Sequence, residues 1–329
     1  MVRLLVMGAG LIGSRHVSAI QTHPQCQLVG VIEPDKERHI NGELSYYTSL
    51  DDVDGAVDGV IIATPTGLHL ENAKKVIARG WHMLIEKPVT ATPEEADELA
   101  AHLAPTNLHC LVGHHRRYHP SIRLLKQWIA EGEIGTPIGS SLIWAMRKPD
   151  SYFHGNWRAN DGSPVMINLI HDIDLMRFIL GDIIDITGFG SAHCRQEQRL
   201  ESGAVALRFA SGLCATISFA DSAVSPWGFE AGTGENPHIG TTGQDMWWIT
   251  GRQGSISFPS LTRWGGVDDW SKSAKPTYFT SDVTVPLSAQ LDHFAAVIMG
   301  NEMPLITVED AAASLKATWE IETLLAKQI

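Results

Sequence analysis

The sequence predicts an α/β protein of two domains, a doubly wound parallel sheet followed by an α+β domain with a large, mostly antiparallel open sheet. Three observations carry this. Residues 1–120 alternate short apolar runs with helical patterns, residues 121–329 string strand-like segments together with few helices between them, and 329 residues are too many for one small core. Hydrophobic residues make up 44% of the chain and charged ones 19%, enough apolar surface to exclude wholesale disorder.

In the first region, the runs 2–7, 27–32, 59–63, 82–85 and 108–113 are apolar and read as strands buried on both faces. Helical patterns at 12–22, 68–79 and 93–103 separate them. The last begins with Thr92-Pro93-Glu94-Glu95, a capping box with proline at the first helical position. Parallel strands need such crossovers, so this alternation builds a parallel sheet.

Beyond Pro120 the pattern changes. A helix is predicted over 121–131, then strands over 138–146, 204–209, 214–220, 246–250 and 255–258. A strongly apolar helix over 165–180 interrupts them and stops at Gly181, a typical helix terminator. Two more helices, 289–299 and 308–327, close the chain, with Thr307 placed ahead of Asp310 as an N-cap. Residues 221–244 form a long polar stretch rich in glycine and proline, and loops of that length are more often functional than idle. No internal repeat or low-complexity tract is present.

The formal net charge is −12, spread without blocks of one sign. Such a surface repels nucleic acid and anionic lipid, so neither is expected as a partner, while a small polar substrate is compatible with it. The four cysteines, Cys26, Cys110, Cys194 and Cys214, are scattered and form no C-x-x-C pair, which argues against a zinc ribbon or a dithiol redox site and suits a reducing cytoplasm. The opening apolar run stops at Gly8, too short for a signal peptide, and no stretch approaches the ~20 apolar residues of a membrane span. The expectation is a soluble, cytoplasmic protein.

Gly8-Ala9-Gly10-Leu11-Ile12-Gly13 is a G-x-G-x-x-G sequence that directly follows an apolar strand and opens a helical pattern. That context makes it a dinucleotide fingerprint. Gly8 permits the tight turn, Gly10 lets the backbone approach a pyrophosphate, and Gly13 lets the helix pack close to the sheet. The N–H groups at the helix start, from Leu11 and Ile12 onward, offer partial positive charge to the phosphates. Glu33 lies twenty residues after Gly13, at the end of the second strand. A carboxylate there binds ribose hydroxyls and repels a 2′-phosphate, which favours NAD; Arg38 nearby keeps NADP open.

Three further stretches exceed what a generic dinucleotide fold requires. They are Ala63-Thr64-Pro65-Thr66-Gly67-Leu68-His69, Glu86-Lys87-Pro88 and Gly113-His114-His115-Arg116-Arg117-Tyr118. Each sits at the carboxyl end of a predicted strand, the edge at which open α/β sheets bind ligands. Together with the fingerprint and Ile170-His171-Asp172-Ile173-Asp174, they resemble the glucose-fructose oxidoreductase / inositol dehydrogenase / rhizopine catabolism (Gfo/Idh/MocA) family along nearly the whole chain.

The resemblance implies a Rossmann domain, an α+β domain whose sheet mediates dimers or tetramers, and oxidation or reduction at a sugar, polyol or related cyclic alcohol carbon. It places Lys87 and His171 at the hydride-transfer site and Thr64 and Pro65 against the nicotinamide, with His69, Glu86 and His114 also on the cofactor's side. The residues themselves are compatible with this. Lys87 follows a buried strand and precedes a proline that biases it to an extended conformation and permits a cis bond; a surface lysine paired with Glu86 is the competing reading. His171 lies in an otherwise apolar helix with Asn168 and Asp172 on the same face, a polar stripe that must meet a partner, water or a ligand. A satisfied core histidine is the alternative.

The sequence also departs from the family. Many members carry an aspartate four residues before the histidine, where this chain has Ile167. The work of orienting the histidine and binding a substrate hydroxyl then falls to Asn168 or Asp172. Arg116, Tyr118, Trp157 and Arg158 complete the expected substrate contacts. Arginines amid the 114–119 histidines disfavour a cation, so no metal is expected. The leading reading is an NAD-dependent dehydrogenase in which either Lys87 or His171 is the base; the alternatives are a glycosidase that oxidises its substrate transiently with bound NAD, and a dinucleotide-sensing protein.

Overall fold

The computed structural model describes residues 1–39, 44–153, 162–195, 199–236, 238–279 and 285–329. The chain divides into two compact units, Met1–Tyr118 with Thr284–Lys316, and His119–Val283 with Ala317–Ile329. The expected boundary at 120/121 falls within two residues of the first division. Residues 284–316, however, join the first unit rather than the second.

The first unit is a six-stranded parallel sheet of β1 (Val2–Met7), β2 (Cys26–Ile32), β3 (Tyr46–Tyr47), β4 (Gly59–Ile62), β5 (His82–Ile85) and β6 (Cys110–Val112), ordered β3-β2-β1-β4-β5-β6. Helices α1 (Leu11–Thr22), α2 (His69–Ala78) and α3 (Pro93–Leu103) make the crossovers. Leu4, Leu5, Val6, Val60, Ile61, Ile62, Met83, Leu84 and Ile85 are fully buried, which is why these strands read as unbroken apolar runs rather than alternating ones. The order reverses between β1 and β4, so the crevice for a ligand opens at their carboxyl ends. Thr92 caps α3 by accepting from the Glu95 amide at 3.3 Å, while the Glu95 carboxylate reaches the Ala91 amide at 3.0 Å, one residue earlier than a regular capping box.

Side-chain fit explains why the late segment belongs here. A Cβ on Gly59 would lie 2.7 Å from Ile298 Cδ1 and 3.1 Å from Phe294 Cζ, both on α7 (Pro286–Ile298), so this helix packs directly on the sheet. The edge strand β6 is covered in turn: the Val112 amide donates to the Ile306 carbonyl at 3.1 Å, and Gln290 Nε2 reaches the Val112 carbonyl at 3.4 Å. Thr307 then caps α8 (Val308–Ala326) through its hydroxyl, which accepts from the Asp310 amide at 3.3 Å.

The second unit opens with α4 (Pro120–Glu131), capped by His119 and ended by Gly132 at φ 78°, in the left-handed region. Its eight strands are β7 (Pro137–Ala145), β8 (Ile183–Ser191), β9 (Ser202–Phe209), β10 (Cys214–Ala220), β11 (Trp247–Gly251), β12 (Gly254–Phe258), β13 (Arg263–Gly265) and β14 (Lys275–Thr277), ordered β14-β13-β12-β11-β7-β10-β9-β8. Among the described residues only the β7–β10 pair of this sheet is parallel. Alternation is strict in the middle: Val205, Leu207, Phe209, Ala215, Ile217 and Phe219 are buried, whereas Ala204, Ala206, Thr216 and Ser218 face outward. Against the inner face packs α5 (Ile170–Leu180), through Ile173 and Met176 of a core that includes Leu142, Trp144 and Trp247.

Sequence reading missed β3, β8, β13 and β14. The longest of them, β8, is an edge strand interrupted by Gly188 and Gly190, and its apolar residues do not alternate cleanly. A Cβ on Gly188 would meet the Ala204 carbonyl oxygen at 2.4 Å, so close strand approach requires the glycine that hides the strand signal. Among its described residues, the polar stretch 221–244 contains one short helix, α6 (Phe229–Thr233).

Candidate active site

The glycine loop has the geometry its sequence implies. Gly8 adopts φ 94°, and a Cβ there would lie 2.7 Å from the Ala63 carbonyl oxygen. A Cβ on Gly13 would come within 1.9 Å of the Gly8 carbonyl oxygen, so helix and loop touch only because this residue has no side chain. Around Gly10, in contrast, nothing stands within 4 Å of the Cβ position. No side chain caps α1, no acidic residue lies in its first turn, and Leu11 is exposed while Ile12 is half-buried. An uncapped helix start beside an open glycine is what a pyrophosphate needs, so these residues fit the group.

Glu33 follows β2 and is buried. Its Oε2 accepts from the Ala9 amide at 2.9 Å and its Oε1 from the Asp35 amide at 3.1 Å. The carboxylate is therefore fixed against the glycine loop, with lone pairs left for ribose hydroxyls. Arg38 pairs with Asp35 at 3.3 Å, an exposed contact of little energetic weight.

At the ends of the neighbouring strands β4, β5 and β6 lie Thr64, Lys87 and His114. Thr64 is held twice from α2: His69 Nε2 lies 2.9 Å from its carbonyl oxygen, and Asn72 Nδ2 donates to its hydroxyl at 3.1 Å. Pro65 is exposed. The second ring nitrogen of His69, Nδ1, lies 2.9 Å from the Pro88 carbonyl oxygen. Burial lowers the basicity of this ring against the opposing pull of both carbonyls and of Glu86, and a neutral imidazole donates to one carbonyl at a time.

Lys87 is half-buried and precedes a cis proline. The Glu86 carboxylate turns inward: Oε1 meets His16 Nε2 at 2.7 Å and Oε2 accepts from the Lys87 amide at 3.2 Å. Burial pushes its pKa up, but the His16 hydrogen bond and the charges of His16, His115 and Lys87 outweigh this and hold it at about 2. His16 was not singled out by its sequence, although it falls on the buried stripe Gly13, His16, Val17, Ile20, where a histidine at helical spacing is a legible signal. His114 is buried, and its amide donates to the Val112 carbonyl at 2.8 Å. Arg116 is buried in the 3-10 turn His115–Tyr118, Arg117 pairs with Asp310, and the Tyr118 ring tilts against His293 at 5.6 Å.

In the second unit, the predicted helix 165–180 is two structures. Val165–Leu169 forms a π turn, in which the Ile170 amide reaches back five residues to the Val165 carbonyl, and α5 follows. π turns widen the helix and often mark functional sites. Asn168 lies in the π turn, so its register to His171 is no longer that of a plain α-helix. Its Oδ1 is buried and accepts no hydrogen bond from the described residues. Ile167 is half-buried beside it, and His171 and Asp172 are buried at the start of α5.

Several local bonds hold the π turn. Ser163 Oγ accepts from the Val165 and Met166 amides at 3.2 and 3.3 Å and donates to Glu322 on α8. One residue earlier, the Gly162 carbonyl accepts from Arg199 Nη1 at 3.1 Å, and Arg199 is pinned in turn by Asp221 at 2.8 Å. The expected substrate contacts Trp157 and Arg158 lie outside the described residues. Among the described residues no group of three or more His, Cys, Asp or Glu side chains is arranged to hold a metal ion, and no helix is long and apolar enough to cross a membrane.

Comparison with known proteins matches residues 2–114 to the model described as "Oxidoreductase family, NAD-binding Rossmann fold" and residues 122–257 to the "GFO/IDH/MocA C-terminal domain". The chain is 32% identical over 185 residues to the rhizopine catabolism protein MocA of Rhizobium meliloti, a match spanning 54% of this chain and 57% of that protein. It is 27% identical to scyllo-inositol 2-dehydrogenase (NAD(+)) of Bacillus subtilis, over 96% of this chain and 91% of the relative. In fold it is similar to the crystal structure of a putative NADPH-dependent oxidoreductase from Desulfitobacterium hafniense, with a TM-score of 0.83 at 17% identity, covering 100% of this chain and 95% of that one. With both family domains matched in order on a parallel sheet that carries the fingerprint and a mostly antiparallel one, the chain belongs to the Gfo/Idh/MocA family of NAD-binding oxidoreductases.

Proposed function

We propose that this oxidoreductase is an NAD-dependent dehydrogenase that moves a hydride between the nicotinamide and an alcohol carbon of a sugar, polyol or related cyclic alcohol. The observation that carries this reading is the alignment of Thr64, Lys87 and His114 on adjacent strand ends of the sheet whose glycine loop fits a pyrophosphate. The named activity of the Bacillus subtilis relative on an inositol supports the substrate class.

When bound, the nicotinamide supplies the hydride acceptor. The protein's share is a proton and a position. In this reading His171 takes the hydroxyl proton and Lys87 polarises the oxygen, or the two exchange roles. Asn168 donates its amide to a substrate hydroxyl or accepts one at its buried Oδ1, and Asp172 supplies the charge that many relatives place four residues before the histidine. Arg116, Tyr118, Trp157 and Arg158 are the remaining proposed contacts. Glu33, fixed beside the glycine loop, selects NAD over NADP because a 2′-phosphate would meet a carboxylate. Four free thiols, with Cys194 and Cys214 exposed, suit a cytoplasmic location. The outer face of the second sheet, with its small exposed side chains, is the surface on which a second copy is proposed to pack.

Absorbance at 340 nm, followed against a panel of inositols, sugars, sugar acids and cyclic dihydrodiols, tests the reading. A dehydrogenase accumulates NADH with one class of alcohol. Release of an aglycone from a glycoside without NADH would point instead to transient oxidation, and dinucleotide binding without either reaction would point to a sensor.

A further inference from the structure

The turn Glu86-Lys87-Pro88 is held on both sides by buried histidines that the proposed chemistry does not use. His16, 2% exposed, reaches it from α1, and His69, 1% exposed, reaches it from the start of α2. We propose that His16 and His69 are positioning residues for Lys87, which grip its turn through the Glu86 carboxylate and the Pro88 carbonyl and tie it to the two elements that receive the dinucleotide. The proposal rests on the reading of Lys87 as a residue of the hydride-transfer site.

The geometry is continuous. From the glycine loop, α1 leads to His16, whose Nε2 lies 2.7 Å from Glu86 Oε1; Glu86 Oε2 then accepts the Lys87 amide at 3.2 Å. From the other side, the His69 ring lies between the Pro88 and Thr64 carbonyl oxygens, 2.9 Å from each. Its N–H donates to the Pro88 carbonyl in one tautomer and to the Thr64 carbonyl in the other, so the lysine turn is seated against the segment after β4. Gly113 closes the third side: a Cβ there would lie 3.0 Å from the Glu86 carboxyl, so that group has no room to swing toward β6. An apolar side chain would fill either histidine's space without desolvating a polar ring, so packing alone does not account for the choice. What the rings add is direction. Each fixes an oxygen within one residue of Lys87, and a displacement of about 1 Å at a reacting group costs on the order of a hundredfold in rate.

The test uses the full chain with His16→Leu, His69→Leu, His16→Gln and His69→Gln, probed by NADH. Amide exchange over residues 84–90 is followed by mass spectrometry in the NADH complex, and kcat and KM are measured with the fastest alcohol of the panel. Each leucine variant is expected to speed exchange at the Lys87 amide about tenfold and to lower kcat per folded molecule about tenfold, with KM and NADH affinity within about threefold. Glutamine, which keeps a donor, should restore most of both. Unchanged exchange, or unchanged kcat per folded molecule, in the leucine variants overturns the proposal. So does a loss of NADH affinity as large as the loss of kcat. If a leucine variant does not fold, the glutamine variant decides on the same readouts, with an effect of about threefold expected and no effect overturning the proposal. Lys87→Ala, run alongside, separates the two claims: wild-type turnover in it removes the catalytic reading, while faster exchange in the histidine variants still supports the grip.

Discussion

One glutamate from each unit, buried Glu86 in the first and half-buried Glu322 in the second, responds to its surroundings in the opposite direction. In the first, Glu86 is surrounded by His16, His115 and Lys87, which overcome the cost of burial and keep it ionised down to about pH 2. In the second, desolvation outweighs the hydrogen bond from the Ser163 hydroxyl, and the pKa of Glu322 is raised above the ordinary value of 4.5. The contrast separates the work of the units. The first fixes charge and backbone around a loop meant for an anionic cofactor. The second ties its glutamate to the hydroxyl of Ser163, the residue whose Oγ also holds the Val165 and Met166 amides at the start of the π turn.

The harshest way to break the contrast is at the glycines. Gly13→Ala forces a Cβ into the Gly8 carbonyl, and the first unit should lose on the order of 3 kcal/mol or more along with dinucleotide binding. Gly10→Ala meets open space, so thermal unfolding should barely move while NAD affinity falls about tenfold, the pyrophosphate being the only thing displaced. Equal stability losses in both variants would mean that the loop is a packing feature only.

Next come the proposed chemical groups, one from each unit. Lys87→Ala and His171→Ala should each reduce turnover by at least ~100-fold with NAD still bound, the lower range for acid–base groups. Near-normal turnover in both would remove them from the reaction.

Acid titration sharpens the electrostatic half of the comparison. A carboxylate whose pKa falls on folding stabilises the fold above its unfolded value, so Glu86 contributes fully above 4.5, and the contribution is lost as pH drops toward about 2. Glu322, raised on folding, has the opposite sign: its contribution is full below its ordinary value of 4.5 and is lost as pH rises through the raised one. Chemical denaturation between pH 2 and pH 7 should show Glu86→Gln flattening the acid loss and Glu322→Gln removing a penalty at neutral pH. Identical profiles in wild type and both variants would refute these assignments.

Smaller effects are expected at the π turn. Asn168→Ala should weaken the substrate step by about 1–3 kcal/mol in kcat/KM, the scale of a lost buried hydrogen bond, and Ile167→Asp should bring no gain. A clear gain from the aspartate with no loss from the alanine would make Asn168 structural.

The mildest test concerns cofactor choice. Glu33→Ser should narrow the preference for NAD over NADP, and because Glu33 also accepts the Ala9 amide, NAD affinity itself should fall a few-fold by isothermal titration. A wild-type preference for NADP would reverse the assignment.

What the residues determined by themselves was local. The fingerprint, Glu33, the Lys87 turn and the fully apolar strands each express a constraint confined to a short stretch: a glycine that cannot carry a Cβ, a strand buried on both faces, a helix that needs a cap. The second sheet was legible wherever one face is buried and the other wet, and illegible at β8, where close approach demands glycine. Tertiary structure alone decided which surface each buried face would meet. It assigned α7 to the first unit because Phe294 and Ile298 pack over Gly59, it aimed Glu86 at His16 seventy residues away rather than at Lys87's ammonium, and it placed Arg199 behind Gly162 to hold the π turn. Periodicity states which face of an element avoids water, but not what covers it, because that choice is made by contacts between residues far apart in the chain.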